Sequence, residues 1–315
     1  MPLNNTQLRY YDANVLRLPM DKRTEYHQQV DRLIEHLRGK IKEHTSLRII
    51  RVMKAGSFAK YTILRKTSED PIDVDVVFYL EGEDVDQETY ESLSGQIYEF
   101  LIAAYPTKTV DQFTIQKRAA TVVFTGSGLS VDVVPVIAVA DRPGYGWQFG
   151  LDGSKNLTCP PGQVKFVKDR KDVDADFRTL VRVGKKWRNR HIDELSALKS
   201  FTVELIMAYL LDRDGKDGKL EQRLCNFFLY VAQSELKETI SFKENSRPLG
   251  TFSEPVVIID PVNSANNVAA RIEDSERLSI IQKAAESWEL AHFASSEDDA
   301  DVWKELFGPR FKVED

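Results

Sequence analysis

Two aspartates one residue apart, Asp73 and Asp75, stand inside the apolar run "IDVDVVFYL" (72–80). Side chains of a strand alternate between faces, so both carboxylates point the same way. Like charges that close are costly in a partly buried site unless a cation neutralises them. A third acid, Asp132, sits in a similar run, "LSVDVVPVI" (129–137), which is expected to pair with the first. Three oxygen donors on neighbouring strands suit magnesium. Such a set can hold two ions about 4 Å apart, the clamp used for in-line displacement at phosphorus. Upstream, "AGSFAK" places Gly56 and Ser57 at a turn feeding a helix start. Backbone N–H groups exposed there, with a serine hydroxyl beside them, cradle phosphate. Alone, a D-x-D is ordinarily two solvated acids and a Gly-Ser is a turn. Their succession with a later strand-borne aspartate is what points to chemistry at phosphorus.

The surrounding pattern supplies elements to position these residues. Apolar spacing at Val30, Leu33, Ile34, Leu37 and Ile41 predicts one long helix over 21–44. "SLRIIRVMKAG" (46–56) reads as a strand running into the glycine turn, and 72–80 as a second strand. A helix over 87–105 is stopped by Pro106. "FTIQKRAATVVFTG" (113–126) reads as one strand, joined through the hairpin turn "TGSG" to the strand carrying Asp132. The Gly- and Pro-dense stretch 141–163 reads as a long connection. Helices are expected over 174–191, 198–215, 219–240 and 274–294, with a short acidic-started one within 297–308. The division expected is an α/β lobe over 1–150 and a helical lobe over 151–315.

Composition is that of an ordinary globular chain: 315 residues, 42% hydrophobic and 29% charged. A formal net charge of −6 argues against a broad cationic surface for long nucleic acid. No apolar stretch approaches membrane-spanning length, and the N-terminus lacks an apolar leader. With only Cys159 and Cys225, in no metal-ligand spacing, the expectation is a cytoplasmic protein with reduced thiols. The five histidines form no cluster, so zinc is not expected.

Gly-Ser, short helix, D-x-D strand and later Asp strand together resemble the catalytic motif of the polymerase-β-like nucleotidyltransferases. The interval from Ser57 to Asp73 is longer than the minimal pattern, the excess falling in the polar "KTSEDP" (66–71). "LVRVGKKW" (180–187) resembles a helix of the oligoadenylate synthetase and cGAS-like branch in which a lysine contacts the triphosphate; the matching residue is Lys185. "LKSFTVELIMAYLL" resembles the next helix, where a serine reaches the phosphates, here Ser200. "IIDPVNSANNVA" resembles the Asp-Pro…Asn-Asn-Val segment of that branch. The whole looks most like the bacterial CD-NTases, the cGAS/DncV-like enzymes of CBASS anti-phage signalling. "GSGLSVDVVPV" and "IIDPVNSANNVAAR" bring it nearest to clade C.

The resemblance implies a bilobed α/β (α+β) fold, a nucleotidyltransferase palm with a helical C-terminal lobe. It implies template-independent synthesis of a cyclic oligonucleotide from ATP and other ribonucleoside triphosphates, cyclic triadenylate among the products. Asp73 and Asp75 would bind two Mg2+ ions, or Mn2+, and Asp132 the ion that activates the attacking hydroxyl. Gly56, Ser57, Lys185 and Ser200 would hold the nucleotide's phosphates. A HORMA-domain regulator and a TRIP13-like ATPase are the implied partners. The acidic balance sets nucleic acid aside as principal trigger, and the lack of a spanning apolar stretch sets the membrane aside. Two alternatives stand beside this: another nucleotidyltransferase, modifying RNA, a small molecule or a protein, and a degenerate nucleotide-binding scaffold. Lys117 and Arg118 are expected to be ordinary strand-borne cations, and Trp147 and Phe149 to pack rather than stack a base. Asp260, Asn263, Asn266 and Asn267 are expected to satisfy loop backbone.

Overall fold

The computed structural model describes residues 2–45, 47–65, 72–82, 87–152, 154–297 and 300–312, the side chains of 87–92 and 300 apart. Residues 66–71, which lengthen the interval from Ser57 to Asp73, lie outside the described residues. The chain divides into two compact units, Leu18–Lys165 and Met1–Arg17 with Phe166–Asp315.

The N-terminal segment, without an expected element, forms α1 (Asn5–Tyr11) and a π turn (Asp12–Leu16). Asn4 and Gln7 close a capping box that starts α1. Asp12, fully buried, accepts from Arg182 at 2.6 Å and from Thr179 at 2.9 Å, which is why this segment belongs with the helical unit.

The sheet unit opens with α2 (Met20–His44), whose five predicted apolar positions are all buried. It continues through β1 (Ile49–Lys54), α3 (Gly56–Lys60), β2 (Ile72–Leu80) and α4 (Gln87–Ala104). Then come β3 (Phe113–Ile115), β4 (Ala120–Phe124), β5 (Leu129–Ala138), β6 (Gly146–Phe149) and β7 (Lys155–Thr158). Among the described residues these seven strands make one sheet in the order β1-β2-β5-β4-β3, with β6 pairing β5 and β7 pairing β6. Strands β2 and β5 are parallel neighbours. Alternation gives each its two faces. Ile72, Val74, Val76 and Phe78 of β2 join Val131 and Val133 of β5 in the core beneath α2 and α4. The opposite face carries Asp73 and Asp75, then Val77 and Tyr79, which cluster with Val136.

Two sequence expectations need correction here. The single strand over 113–126 is a hairpin, β3 and β4, because Gln116 N–H closes a turn onto Ala119 O at 2.8 Å. The stretch 141–163, read as a connection, contains the β6–β7 hairpin and the start of α5 (Pro160–Val173). Glycine and proline masked a short alternating strand whose Phe149 is buried in the sheet-unit core with Trp147 packed against it. The sheet therefore runs past residue 150, and the division at 150/151 differs from the observed one at Lys165/Phe166.

The helical unit continues with α6 (Phe177–Arg190), α7 (Ser200–Asp214) and α8 (Leu220–Ser234). A two-stranded ribbon, β8 (Ile259–Asp260) with β9 (Asn263–Asn267), precedes α9 (Asp274–Ser296) and α10 (Trp303–Phe307). Asp260, Asn263 and Asn267 serve the backbone as expected, while Asn266 Nδ2 donates to the side chain of Asp260 at 3.2 Å. Asn267 Oδ1 accepts from Ile258 and Ala269 N–H at 3.0 Å each, and Asp260 Oδ1 from Val262 N–H at 3.0 Å. Both cysteines are free thiols. Among the described residues no helix is long and apolar enough to cross a membrane.

Candidate active site

The parallel register of β2 and β5 sets Asp75 directly beside Asp132, and Asp73 beside Ser130, on the face turned away from α2 and α4. Asp73 is exposed, while Asp75 and Asp132 are half-buried. Turn and strand interlock: Ala55 N–H donates to Asp75 O at 2.8 Å, just before Gly56 takes a left-handed φ of +57°. A methyl group on Gly56 would lie 1.7 Å from Asp75 Oδ2, so the glycine is the cradle against which that carboxylate rests. Ser57 O accepts from Thr62 and Ile63 N–H at 3.0 and 3.1 Å, holding the short α3 in place.

Burial, reinforced by the charges of Asp132 and Asp73, pushes the Asp75 carboxyl up to about 6, against the opposing pull of buried Lys60. Burial also raises Asp132, opposed by hydrogen bonds from Thr121 and Gln116. Thr121 Oγ1 donates to Asp132 Oδ1 at 2.6 Å, and Gln116 Nε2 reaches the same oxygen at 3.3 Å. Among the described residues no three His, Cys, Asp or Glu side chains already converge into a metal cage. The donor chemistry of the three carboxylates, oxygen only and with an excess of negative charge, fits a hard divalent cation such as magnesium.

The other two sequence-predicted residues lie in the helical unit, Lys185 on α6 and Ser200 at the start of α7. Lys185 is 4% exposed, its Nζ 3.3 Å from Glu204 Oε2, itself 1% exposed. Ser200 stands four residues before Glu204, on the same side of α7. Lys186, next along α6, is half-buried beside Arg190 and Arg310, and its ammonium is pushed down by burial and then by those two charges. Lys117 and Arg118, expected on a strand, lie instead in the β3–β4 turn, where Lys117 pairs with Asp152 at 2.6 Å and Arg118 donates to Ser154 at 3.1 Å.

Sequence reasoning missed Glu204, Thr121 and Gln116. A lone acid in the apolar run "FTVELIM", one turn past Ser200, was the available signal for Glu204. Thr121 and Gln116 gave none, since their place depends on strand register.

Residues 4–153 match the SMODS family, the Second Messenger Oligonucleotide or Dinucleotide Synthetase domain. End to end, the chain is 60% identical to the CBASS oligonucleotide cyclase CdnC of Escherichia coli strain KTE188, covering 100% of this chain and 99% of that one. The chain belongs to the CD-NTase family of bacterial oligonucleotide cyclases. This CD-NTase is also 34% identical to the cyclic AMP-AMP-AMP synthase of E. coli strain MS 115-1, over 94% of each chain. Two solved structures of E. coli MS115-1 CdnC, one in a CdnC:HORMA-deltaN complex and one with ATP, share its fold at a TM-score of 0.83 and 32% identity. They cover 98% of this CD-NTase and 98% and 99% of their own chains. It is a nucleotidyltransferase, of a family that normally uses a divalent metal ion.

Proposed function

We propose that this CD-NTase joins ribonucleoside triphosphates, ATP foremost, into a cyclic oligonucleotide that signals in anti-phage defence. Cyclic triadenylate is the proposed product, on the strength of the relative named as a cyclic AMP-AMP-AMP synthase. The observation that carries the reading is Asp75 set in register beside Asp132, over the Gly56–Ser57 turn, in a chain matching an oligonucleotide cyclase throughout its length.

Asp73, Asp75 and Asp132 are the residues that would hold two magnesium ions. When bound, magnesium supplies charge neutralisation at the α-phosphate and acidifies the attacking hydroxyl. The chain's own part is positional. Gly56 leaves room for the Asp75 carboxylate, and Ser57 presents a hydroxyl and N–H to phosphate. In the helical unit, Lys185 and Ser200 are proposed to bind nucleotide phosphates through charge-assisted and hydroxyl hydrogen bonds. The test is conversion of radiolabelled ATP to a phosphatase-resistant product, since a closed ring has no terminal phosphomonoester. Products that all yield to phosphatase would refute cyclisation.

The phosphate role of Lys185 is separable from its pairing. Lys185→Met alone leaves buried Glu204 without its cation, a loss of about 3–5 kcal/mol. Adding Glu204→Gln is expected to recover the melting temperature but leave nucleotide binding at least ~10-fold weak, as a charge-assisted contact is gone. Lys186→Ala should change initial rates much less, being rotated about 100° around the helix. Recovery of nucleotide affinity together with melting temperature would make Lys185 structural only.

Activation is proposed to come from a HORMA-type protein, as E. coli MS115-1 CdnC forms a CdnC:HORMA-deltaN complex. A TRIP13-like ATPase acting on that regulator, and a cytoplasmic location, complete the proposal. Product yield is expected to rise when the HORMA-type genomic neighbour is added, by a shift toward the competent state. Strong salt-sensitive stimulation of the cyclase alone by duplex DNA or RNA would overturn it.

A further inference from the structure

Asp75 and Asp132 are located by different devices. Asp75 rests on Gly56, while Asp73 stands exposed beside buried Ser130. Asp132 is instead tied by side chains from the neighbouring antiparallel hairpin. Thr121 of β4 is its register partner across the β4–β5 pair and is 6% exposed. The hydroxyl of Thr121 has one proton, and Asp132 Oδ1 receives it at 2.6 Å. The oxygen of that hydroxyl in turn accepts from Gln116 Nε2 at 2.8 Å, and the same amide group reaches Asp132 Oδ1 at 3.3 Å. Chemistry fixes the amide's orientation, because its oxygen would repel the carboxylate. The backbone fixes its place, because Gln116 N–H is bound to Ala119 O across the β3–β4 turn.

The chain of donors is therefore directional, from Gln116 to Thr121 to Asp132. Among the described residues both side-chain donors fall on Oδ1, so Oδ2 is the oxygen left to ligate. We infer that Thr121 and Gln116 are positioning residues: they clamp one oxygen of Asp132 so that the other is presented to the divalent cation. This rests on the reading of Asp132 as a magnesium ligand. A carboxylate without such a clamp must lose rotamer freedom, and swing back against its two acidic neighbours, each time a cation binds. Partners that orient a ligand from behind in this way typically change metal affinity by about 10–100-fold.

The test compares Thr121→Val, Thr121→Ser, Gln116→Ala and Asp132→Asn in the full chain. Two quantities are read: Mn2+ binding to nucleotide-free protein by electron paramagnetic resonance, and the Mg2+ concentration giving half-maximal rate. Thr121→Val is expected to weaken Mn2+ binding and raise the Mg2+ requirement by ~10-fold or more, with ATP KM little altered at saturating metal. Thr121→Ser, which keeps the hydroxyl, should recover the wild-type metal response. Gln116 is exposed, so Gln116→Ala should fold normally and show a smaller shift in the same direction, which keeps the test open if Thr121→Val is unstable. A purely structural threonine would lower the melting temperature and leave metal affinity alone. That outcome overturns the inference if Asp132→Asn does abolish metal binding. If Asp132→Asn binds Mn2+ as the wild type does, the magnesium reading itself fails and the clamp fails with it.

Discussion

Asp73→Asn combined with Asp75→Asn is expected to take product formation to the limit of detection while raising the melting temperature of the metal-free protein. Both effects come from one cause. The folded chain holds the Asp75 carboxyl near 6, against an ordinary value of 3.8. Between those values the folded state binds a proton that the unfolded chain has already released. Stability from this group is complete below about pH 4 and is lost as the pH rises through 6. At pH 7.5 the metal-free fold therefore carries a penalty of about 3 kcal/mol from this carboxylate. Asparagine has nearly the same shape and no charge, so the penalty disappears. The rise should be roughly 5–10 °C at pH 7.5 and close to nothing at pH 4. Magnesium with ATP should raise the melting temperature of the wild type, by favouring the folded state through binding, and not that of the double variant. Calorimetry at the two pH values checks the sign. An asparagine variant that melts lower at pH 7.5, or retains turnover, would contradict the assignment.

Gly56→Ala should be the most damaging change of a single hydrogen to a methyl in the sheet unit. The new carbon meets Asp75 Oδ2 at 1.7 Å and Cγ at 2.7 Å. The backbone also sits at φ +57°, where a Cβ costs about 1–2 kcal/mol before any contact is counted. Asp75 must move or the turn must open, and either displaces a proposed metal ligand from its place beside Asp132. Turnover should fall to background, with a lower melting temperature. Gly39→Ala makes the control. It lies on the exposed face of α2 with nothing within 4 Å of the added carbon, so stability should hold or rise by up to ~1 kcal/mol. Comparable rates for Gly56→Ala and the wild type would mean that Asp75 is not held where the catalysis needs it.

Much of this arrangement could be read from spacing. A D-x-D in a β-branched run dictates a shared face, and the five apolar positions of α2 dictate its buried stripe, because both depend on local periodicity alone. Asp132 was found the same way. What escaped depended on partners distant in sequence. The β6–β7 hairpin was hidden because Pro143, Gly144 and Gly146 outweigh Trp147, Gln148 and Phe149 in any local reading. The N-terminal helix and π turn carry no strong periodicity and owe their place to Asp12 meeting Arg182, 170 residues away. The resemblance singles out Lys185 but gives no sign of the buried carboxylate that it faces. The Thr121 clamp on Asp132 needs a known β4–β5 register, and a shift of one residue would turn Thr121 to the other face.

Mass spectrometry of the products made from all four ribonucleoside triphosphates and magnesium, with and without the HORMA-type neighbour, is the most direct measurement. The chemistry proposed for Asp73, Asp75 and Asp132 predicts a ring of nucleoside monophosphate units, adenylate foremost, with one pyrophosphate released per linkage. The Asp73→Asn, Asp75→Asn protein should yield none of it. Linear oligonucleotides alone, nucleotide transferred to RNA, protein or a small molecule, or no product even with the partner present would contradict it.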